Sequence, residues 1–403
     1  MSLARTLWKA LPIPAGVRRT VSPAVWGALE RNYERRLRRT PHDVISGPVH
    51  VAGFFSESHG IAASAKRCAD AMEALGLETH RVDLGQLSHL ALLRKPAHRY
   101  ASGGAWIIHA NSPEYVAALA TIGPDSFANA FLAGYWAWEL PDAPPAWKRR
   151  MALADEIWAP SAYTADALGP AVRVVPHPML ASPAINSADA RAMLGLPADR
   201  FIAANLFDFR SSLARKNPLG ALDAFRRAFG DDENALLIIK AQHGDIAPLQ
   251  SSMLKERARD ANVRVIDEIW SGDRATALIA AADVLISLHR AEGFGLTLAE
   301  AMAAGTPVIA TAWSANLDFM APDYEGLVPA SETPVEDKQA IYAGQFWAEP
   351  DSVRAAALLK RVRTDAAWRA SLEATGRRLA RERLGLDAYR NSLSPSFWAA
   401  VQR

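Results

Sequence analysis

HRAEGFGLTLAEAMAAGTPVIAT, residues 289–311, is the densest stretch of this 403-residue chain. The apolar run 284–289 reads as a buried strand ending at His289, and a loop with Gly293 and Gly295 follows it. A helix over 296–304 is then stopped by Gly305, where helices favour a left-handed cap, and Pro307 opens a strand over 307–311. Such a strand, glycine loop and helix suit an anion: glycines let the backbone approach closely, and the helix N-terminus supplies N–H groups and a favourable dipole.

Working outward, the strands FIAANLF (201–207), ALLIIKA (235–241), VRVIDEI (263–269), VLISLH (284–289) and PVIAT (307–311) alternate with helices near 218–229, 247–260, 272–282 and 296–304. An earlier series alternates in the same way: HVAGFF (50–55), a helix over 61–75 stopped by Gly76, ETHRVDL (78–84), WIIHA (106–110), FLAGYWAW (131–138), EIWAP (156–160) and VRVVPH (172–177). Buried strands separated by helices predict parallel βαβ units. Pro178, Pro183 and Pro197 punctuate a polar stretch between the two series. The expected organisation is a basic arm over 1–46, one Rossmann-like domain over 47–195, a second over 196–380, and a helical tail over 381–403 that packs back on the first domain.

Half of the chain is apolar, 22% is charged and the net charge is +2, which excludes a disordered chain and argues against nucleic-acid binding through bulk charge. The charge is uneven. Residues 1–40 carry nine Lys and Arg against Glu30 and Glu34, a net +7, so the remainder carries −5. In this arm Trp26, Leu29, Tyr33 and Leu37 form an apolar helical stripe behind Ser22-Pro23, opposite Arg31, Arg35, Arg38 and Arg39. The stripe suits either an anionic membrane surface or the protein's own core. A single cysteine, Cys68, excludes an intrachain disulfide and a cysteine zinc site. With no run near ~18 apolar residues and no signal-peptide pattern, the expectation is a soluble cytoplasmic protein that can be peripheral on the inner face of a membrane.

The chemistry concentrates around the glycine loop. Glu292 and Glu300 flank it eight positions apart, and a pair of carboxylate acceptors beside a phosphate cradle suits the hydroxyls of a sugar and a ribose. For Glu300 the alternative is an ordinary exposed helix glutamate. The chain holds no Asp-x-Asp, Gly-x-Gly-x-x-Gly, Gly-x-x-x-x-Gly-Lys or His-Glu-x-x-His, so no metal or cofactor is expected.

Glu292-Gly293-Phe294-Gly295-Leu296, Glu300-Ala301-Met302, Gly305 and Pro307-Val308-Ile309-Ala310-Thr311 resemble the signature of the retaining glycosyltransferases of family 4. FDFRSSLARKNPLGALDAF (207–225), GYWAWELPDAPPAWKRRMALADEIWAPS (134–161) and WSANLDFM (313–320) are similar to segments of bacterial polysaccharide and mannosyl-type members, so the likeness covers most of 50–380. The resemblance implies an α/β protein of the GT-B class, two doubly wound domains with a cleft between them. It implies a hexosyltransferase using a nucleoside-diphosphate sugar, mannose from a guanosine donor being the first guess, and a glycan or lipid-linked glycan acceptor.

Residue by residue, the resemblance places Arg210 and Lys216, with Arg215 adjacent, on the donor diphosphate; a solvated basic loop is the plainer reading. It places Gly60 near the phosphate, Glu292 on the sugar, Glu300 on the ribose, and the N–H groups of Phe294, Gly295 and Leu296 on sugar and phosphates. Glu139 stands where the family often has a histidine and becomes a candidate for substrate contact, whereas His109 reads as structural or cleft-lining. Lys240 and His289 end strands near the donor, a solvated cap being the alternative for Lys240; Asn316 and Asp318 follow another strand end and read as cleft-lining, Asn316 at the donor, or as plain turn residues. A nucleotide-sugar epimerase or phosphorylase, or a non-turning-over binding scaffold, are the other readings of the same pattern.

Overall fold

The computed structural model describes residues 27, 30–35, 37, 39, 42–85, 87, 96, 98, 100–180, 185–336, 342 and 344–401. The first domain is a six-stranded parallel sheet of order β2-β1-β3-β4-β5-β6: β1 Val49–Gly53, β2 Thr79–Asp83, β3 Ala105–His109, β4 Phe131–Tyr135, β5 Glu156–Ala159 and β6 Arg173–Val174. Helices α1 (Gly60–Ala74), α2 (Ser112–Ile122), α3 (Pro145–Arg150) and α4 (Ala162–Leu168) connect its strands. Four of the strands are buried along their whole length or nearly so, which is why they read as continuous apolar runs. The run 172–177 makes only the two-residue β6, because Pro176 has no N–H for a ladder.

Helix α5 (Ser187–Leu194) links to the second domain, whose parallel sheet has the order β12-β11-β10-β7-β8-β9. Its strands are β7 Phe201–Leu206, β8 Ala235–Ala241, β9 Val263–Asp267, β10 Val284–Ser287, β11 Val308–Thr311 and β12 Leu327–Val328. The intervening helices are α6 (Leu213–Lys216), α7 (Pro218–Phe229), α8 (Pro248–Arg257), α9 (Gly272–Ala281), α10 (Leu296–Ala304) and α11 (Leu317–Met320). The strand order runs outward from β7 in one direction and from β10 in the other. The crevice between their carboxyl ends is where open α/β sheets hold ligands.

Two boundaries differ from the sequence expectation. Ala190 on α5 packs with Ala277 and Ala281 of α9, so this helix sits with the second sheet rather than the first. Helix α13 (Ala366–Leu384) runs unbroken through residue 380 and keeps Leu379, Ala380 and Leu384 in the second core. After it, α14 (Leu386–Ser392) and α15 (Pro395–Val401) return to the first sheet, where Tyr389 and Phe397 pack with Val49, Phe131 and Trp158. An antiparallel hairpin of β13 (Ala330–Pro334) and β14 (Phe346–Pro350), followed by α12 (Ser352–Thr364), was not legible in the sequence: its strands hold proline and glutamate and lack a β-branched alternation.

Of the arm, residues 1–26, Leu29 and Arg38 lie outside the described residues. Helical residues 30–35 pack on the first domain, with Tyr33 and Leu37 against its core. Arg150 bridges Glu30 at 2.9 Å and Glu34 at 2.8 Å, and Arg39 bonds Asp155 at 2.7 Å. Among the described residues no helix is long and apolar enough to cross a membrane.

Candidate active site

The switch between β7 and β10 brings two loops together. After β7, Asp208 caps a short turn, and Ser212, at φ 66°, caps α6 by accepting from Arg215 N–H. Asn217 ends α6 in the left-handed region and donates from its amide to the Leu288 carbonyl at 2.8 Å, tying this loop to the end of β10. The single turn between these caps presents Arg215 and Lys216 to the second loop. There Lys216 Nζ donates to Glu292, and Arg215 stands 3.7 Å from Glu292 and 3.2 Å from Glu139 of the first domain.

Electrostatics fix the charge states. Burial by itself would raise the Glu292 carboxyl, but Lys216 and Arg215 more than offset it and hold the group at about 2. Arg215 is 2% exposed, and burial alone would lower it; Glu139 and Glu292 reverse the direction and keep it charged. Glu139 is therefore the first domain's partner to a buried cation.

Backbone approach explains the glycines. The Gly293 carbonyl accepts from Ser161 Oγ at 2.8 Å and Thr164 Oγ1 at 3.1 Å, both on the first domain, and a Cβ on Gly293 would stand 2.9 Å from the Trp138 carbonyl oxygen. Gly295, at φ 93°, caps α10 and turns the chain so that the helix N-terminus opens toward the cleft.

A cavity of about 770 Å³ lies between the domains. Gly60, Glu139, Arg210, Lys216, Lys240, Glu292, Gly293, Phe294, Gly295, Leu296 and Glu300 all line it, bringing together eleven of the residues singled out from sequence. Gly60 begins α1 at its edge, with open space where a Cβ would point. Arg210 is exposed and shared among His243 at 2.8 Å, Asp208 at 3.4 Å and Glu57 at 3.6 Å. Glu300 accepts from Arg67 on α1 at 2.5 Å. Lys240 is not a solvated cap: it donates to the carbonyls of Ala241 and Glu268, sits 5.0 Å from the Trp270 ring centre, and burial lowers its ammonium to about 8.

His289 and Asn316 do not face the cavity. His289 Nε2 meets Asn316 Oδ1 at 3.1 Å, and Asn316 Nδ2 donates to the Thr311 carbonyl at 3.0 Å, both side chains fully buried. They join the ends of β10 and β11 under the loop, a positioning role set by the strands' adjacency. Asp318 lies across the domain junction, accepting from Ala162 N–H at 2.6 Å. His109 is fully buried against Ser64 at 2.7 Å, and burial lowers it to about 3, so it stays neutral. Sequence reasoning passed over Arg67, Ser161, Thr164 and His177. The Ser161-x-x-Thr164 helix start and the proline-flanked His177 were the available signals.

Among the described residues no group of His, Cys, Asp and Glu could hold a metal ion. Residues 206–341 match the family described as glycosyl transferases group 1. No curated protein matches the chain in sequence. Among solved structures, Anabaena HepE in complex with UDP and glucose is similar at 16% identity and a TM-score of 0.58, over 85% of this chain and 97% of that one. Sucrose-phosphate synthase from Thermosynechococcus elongatus gives 18%, 0.60, 85% and 96%. WaaG, a glycosyltransferase involved in lipopolysaccharide biosynthesis, gives 14%, 0.56, 88% and 100%. The chain thus has the two-domain GT-B fold of these structures and carries a glycosyl transferases group 1 match over about a third of its length.

Proposed function

We propose that the protein is a retaining glycosyltransferase of family 4 type that moves a hexose from a nucleoside-diphosphate sugar to a glycan or lipid-linked glycan acceptor. The observation that carries this reading is the convergence of Lys216, the N-terminus of α10 and the ionised Glu292 on one inter-domain cleft. An ammonium and open backbone N–H groups suit a diphosphate leaving group, where preorganised charge lowers the barrier most. Glu292, an acceptor-only carboxylate, suits sugar hydroxyls, and Glu300 suits the ribose. The acceptor hydroxyl attacks the anomeric carbon from the face that the diphosphate leaves, and a phosphate oxygen takes its proton. This route needs no dedicated base, in keeping with the neutral, buried state of His109.

Mannose is the first sugar to try; the UDP and glucose bound to HepE make a uridine donor the second. A glycan acceptor is in keeping with the lipopolysaccharide role of WaaG. The arm gives a reason to place the enzyme on an anionic membrane: Arg31 and Arg35 on the arm and Lys148 and Arg149 on α3 are exposed, and the two helices are joined by Arg150, which pairs with Glu30 and Glu34.

A thermal-shift panel of nucleoside diphosphates tests the donor class, since binding to the folded state raises apparent stability. One base should stand out, and its hexose conjugates should then support acceptor-stimulated transfer, with product configuration read by NMR. Absence of any shift would overturn the reading; epimerisation or hydrolysis without acceptor stimulation would favour another enzyme on this fold.

A further inference from the structure

Tyr135 closes β4, and its hydroxyl lies 2.7 Å from the Val175 carbonyl oxygen and 3.1 Å from His177 Nδ1. A phenol has one proton, and a carbonyl can only accept. The proton goes to Val175, because the reverse arrangement would leave two oxygens facing each other at 2.7 Å with no hydrogen between them. His177 is then the donor through Nδ1–H. That bond fixes the tautomer, and a neutral ring protonated at Nδ1 carries its lone pair on Nε2.

The ring is neutral and held in place. Burial lowers its basicity, with His109 and Arg67 acting in the same direction. Tyr135 stacks on it at 5.3 Å between ring centres, and Phe294 meets it edge to face at 4.6 Å. His177 is 5% exposed, yet it lines the cleft, and among the described residues its only hydrogen-bond partner is Tyr135. Phe294, the ring against His177, directly follows Glu292 and Gly293 in the loop that the nucleotide-sugar reading assigns to the sugar, and all four residues line the cavity.

An uncharged, acceptor-only nitrogen excludes a phosphate oxygen, which has no proton to offer, and it matches a hydroxyl. We propose that His177 reads the transferred sugar: Nε2 accepts a hydrogen bond from one hydroxyl of the donor's hexose, and the enzyme requires that hydroxyl. This rests on the reading of the cleft as a nucleotide-sugar site. A site built to pair with a hydroxyl rejects the deoxy analogue because its own buried polar atom is left unpaired. The weakly basic ring holds the hydroxyl without removing its proton.

The test compares the full chain with His177→Leu and His177→Gln, using the nucleoside diphosphate, its hexose conjugate and the monodeoxy conjugates. Calorimetry should give the same Kd for the nucleoside diphosphate in all three proteins, which also shows that each is folded. The wild type should lose about tenfold or more in kcat/KM at one deoxy position. His177→Leu should lose about tenfold on the parent sugar and show no penalty at that position, and His177→Gln, whose amide oxygen stands near the place of Nε2, should restore most of both. A penalty at that position that survives in His177→Leu, no position-specific penalty in the wild type, or equal weakening of the sugar-free nucleotide would overturn the assignment. No nucleoside diphosphate binding by the wild type is a separate result that removes the nucleotide-sugar reading and this one with it.

Discussion

Arg67 in the first domain donates to Glu300 in the second at 2.5 Å, so the carboxylate assigned to the ribose is already engaged across the cleft. A ribose must compete with this guanidinium. Both side chains are about a quarter exposed, which keeps the pair weak. Arg67→Leu should therefore tighten nucleoside-diphosphate binding by about two- to fivefold in calorimetry. Weaker binding would mean that Arg67 itself holds the donor.

Lys216 is the cation closest to Glu292 and borders the phosphate cradle. Lys216→Ala should lower kcat by about a hundredfold or more, with thermal unfolding close to wild type because Arg215 still faces Glu292. Steady-state kinetics beside a melting curve checks both halves, and near-normal turnover would remove Lys216 from the diphosphate.

Arg215 is buried between Glu139 and Glu292, bringing one carboxylate from each domain to a single guanidinium. Arg215→Met leaves both acids without it, and a buried pair broken on one side costs about 3–5 kcal/mol. Urea unfolding should show a loss of this size, and a loss below about 1 kcal/mol would show that water replaces the guanidinium.

The depressed Glu292 carboxyl links stability to pH. Its folded value of about 2 lies below the ordinary 4.5, so its contribution is full above pH 4.5 and is lost as the pH falls from there toward 2. Melting temperatures of the wild type and Glu292→Gln should converge over that acid window and be parallel from pH 5 to 7. Parallel curves throughout would show that the carboxylate is not specially stabilised by folding.

Much of this site was legible one residue at a time. The glycine spacing of 293–295 and the helix stop at Gly305 depend on local backbone geometry, which neighbours in sequence determine. Glu292 and Glu300 were likewise visible as charges beside a cradle, Lys216 was placed only by the family resemblance, and all three line the cleft. His289 and Asn316 were misplaced because the end of a strand does not say whether a side chain points into a crevice or under it; hydrogen bonding between adjacent strands turned both inward. Lys240, singled out near the donor with a solvated cap as the alternative, lines the cleft, but the carbonyls that hold its ammonium come from its own strand end and from the end of β9, which no local pattern announces.

The sequence by itself determined two parallel α/β units, their glycine loop and the asymmetric charge of the arm, because hydrophobic period, helix caps and turn residues act over a few positions. Only the tertiary structure decided which charges meet. Arg215 with Glu139, Arg67 with Glu300 and Tyr135 with His177 are separated by 76, 233 and 42 positions. Their pairing, and with it the charge of Glu292 and the tautomer of His177, depends on how strand order and the approach of two domains exclude water from a shared cleft.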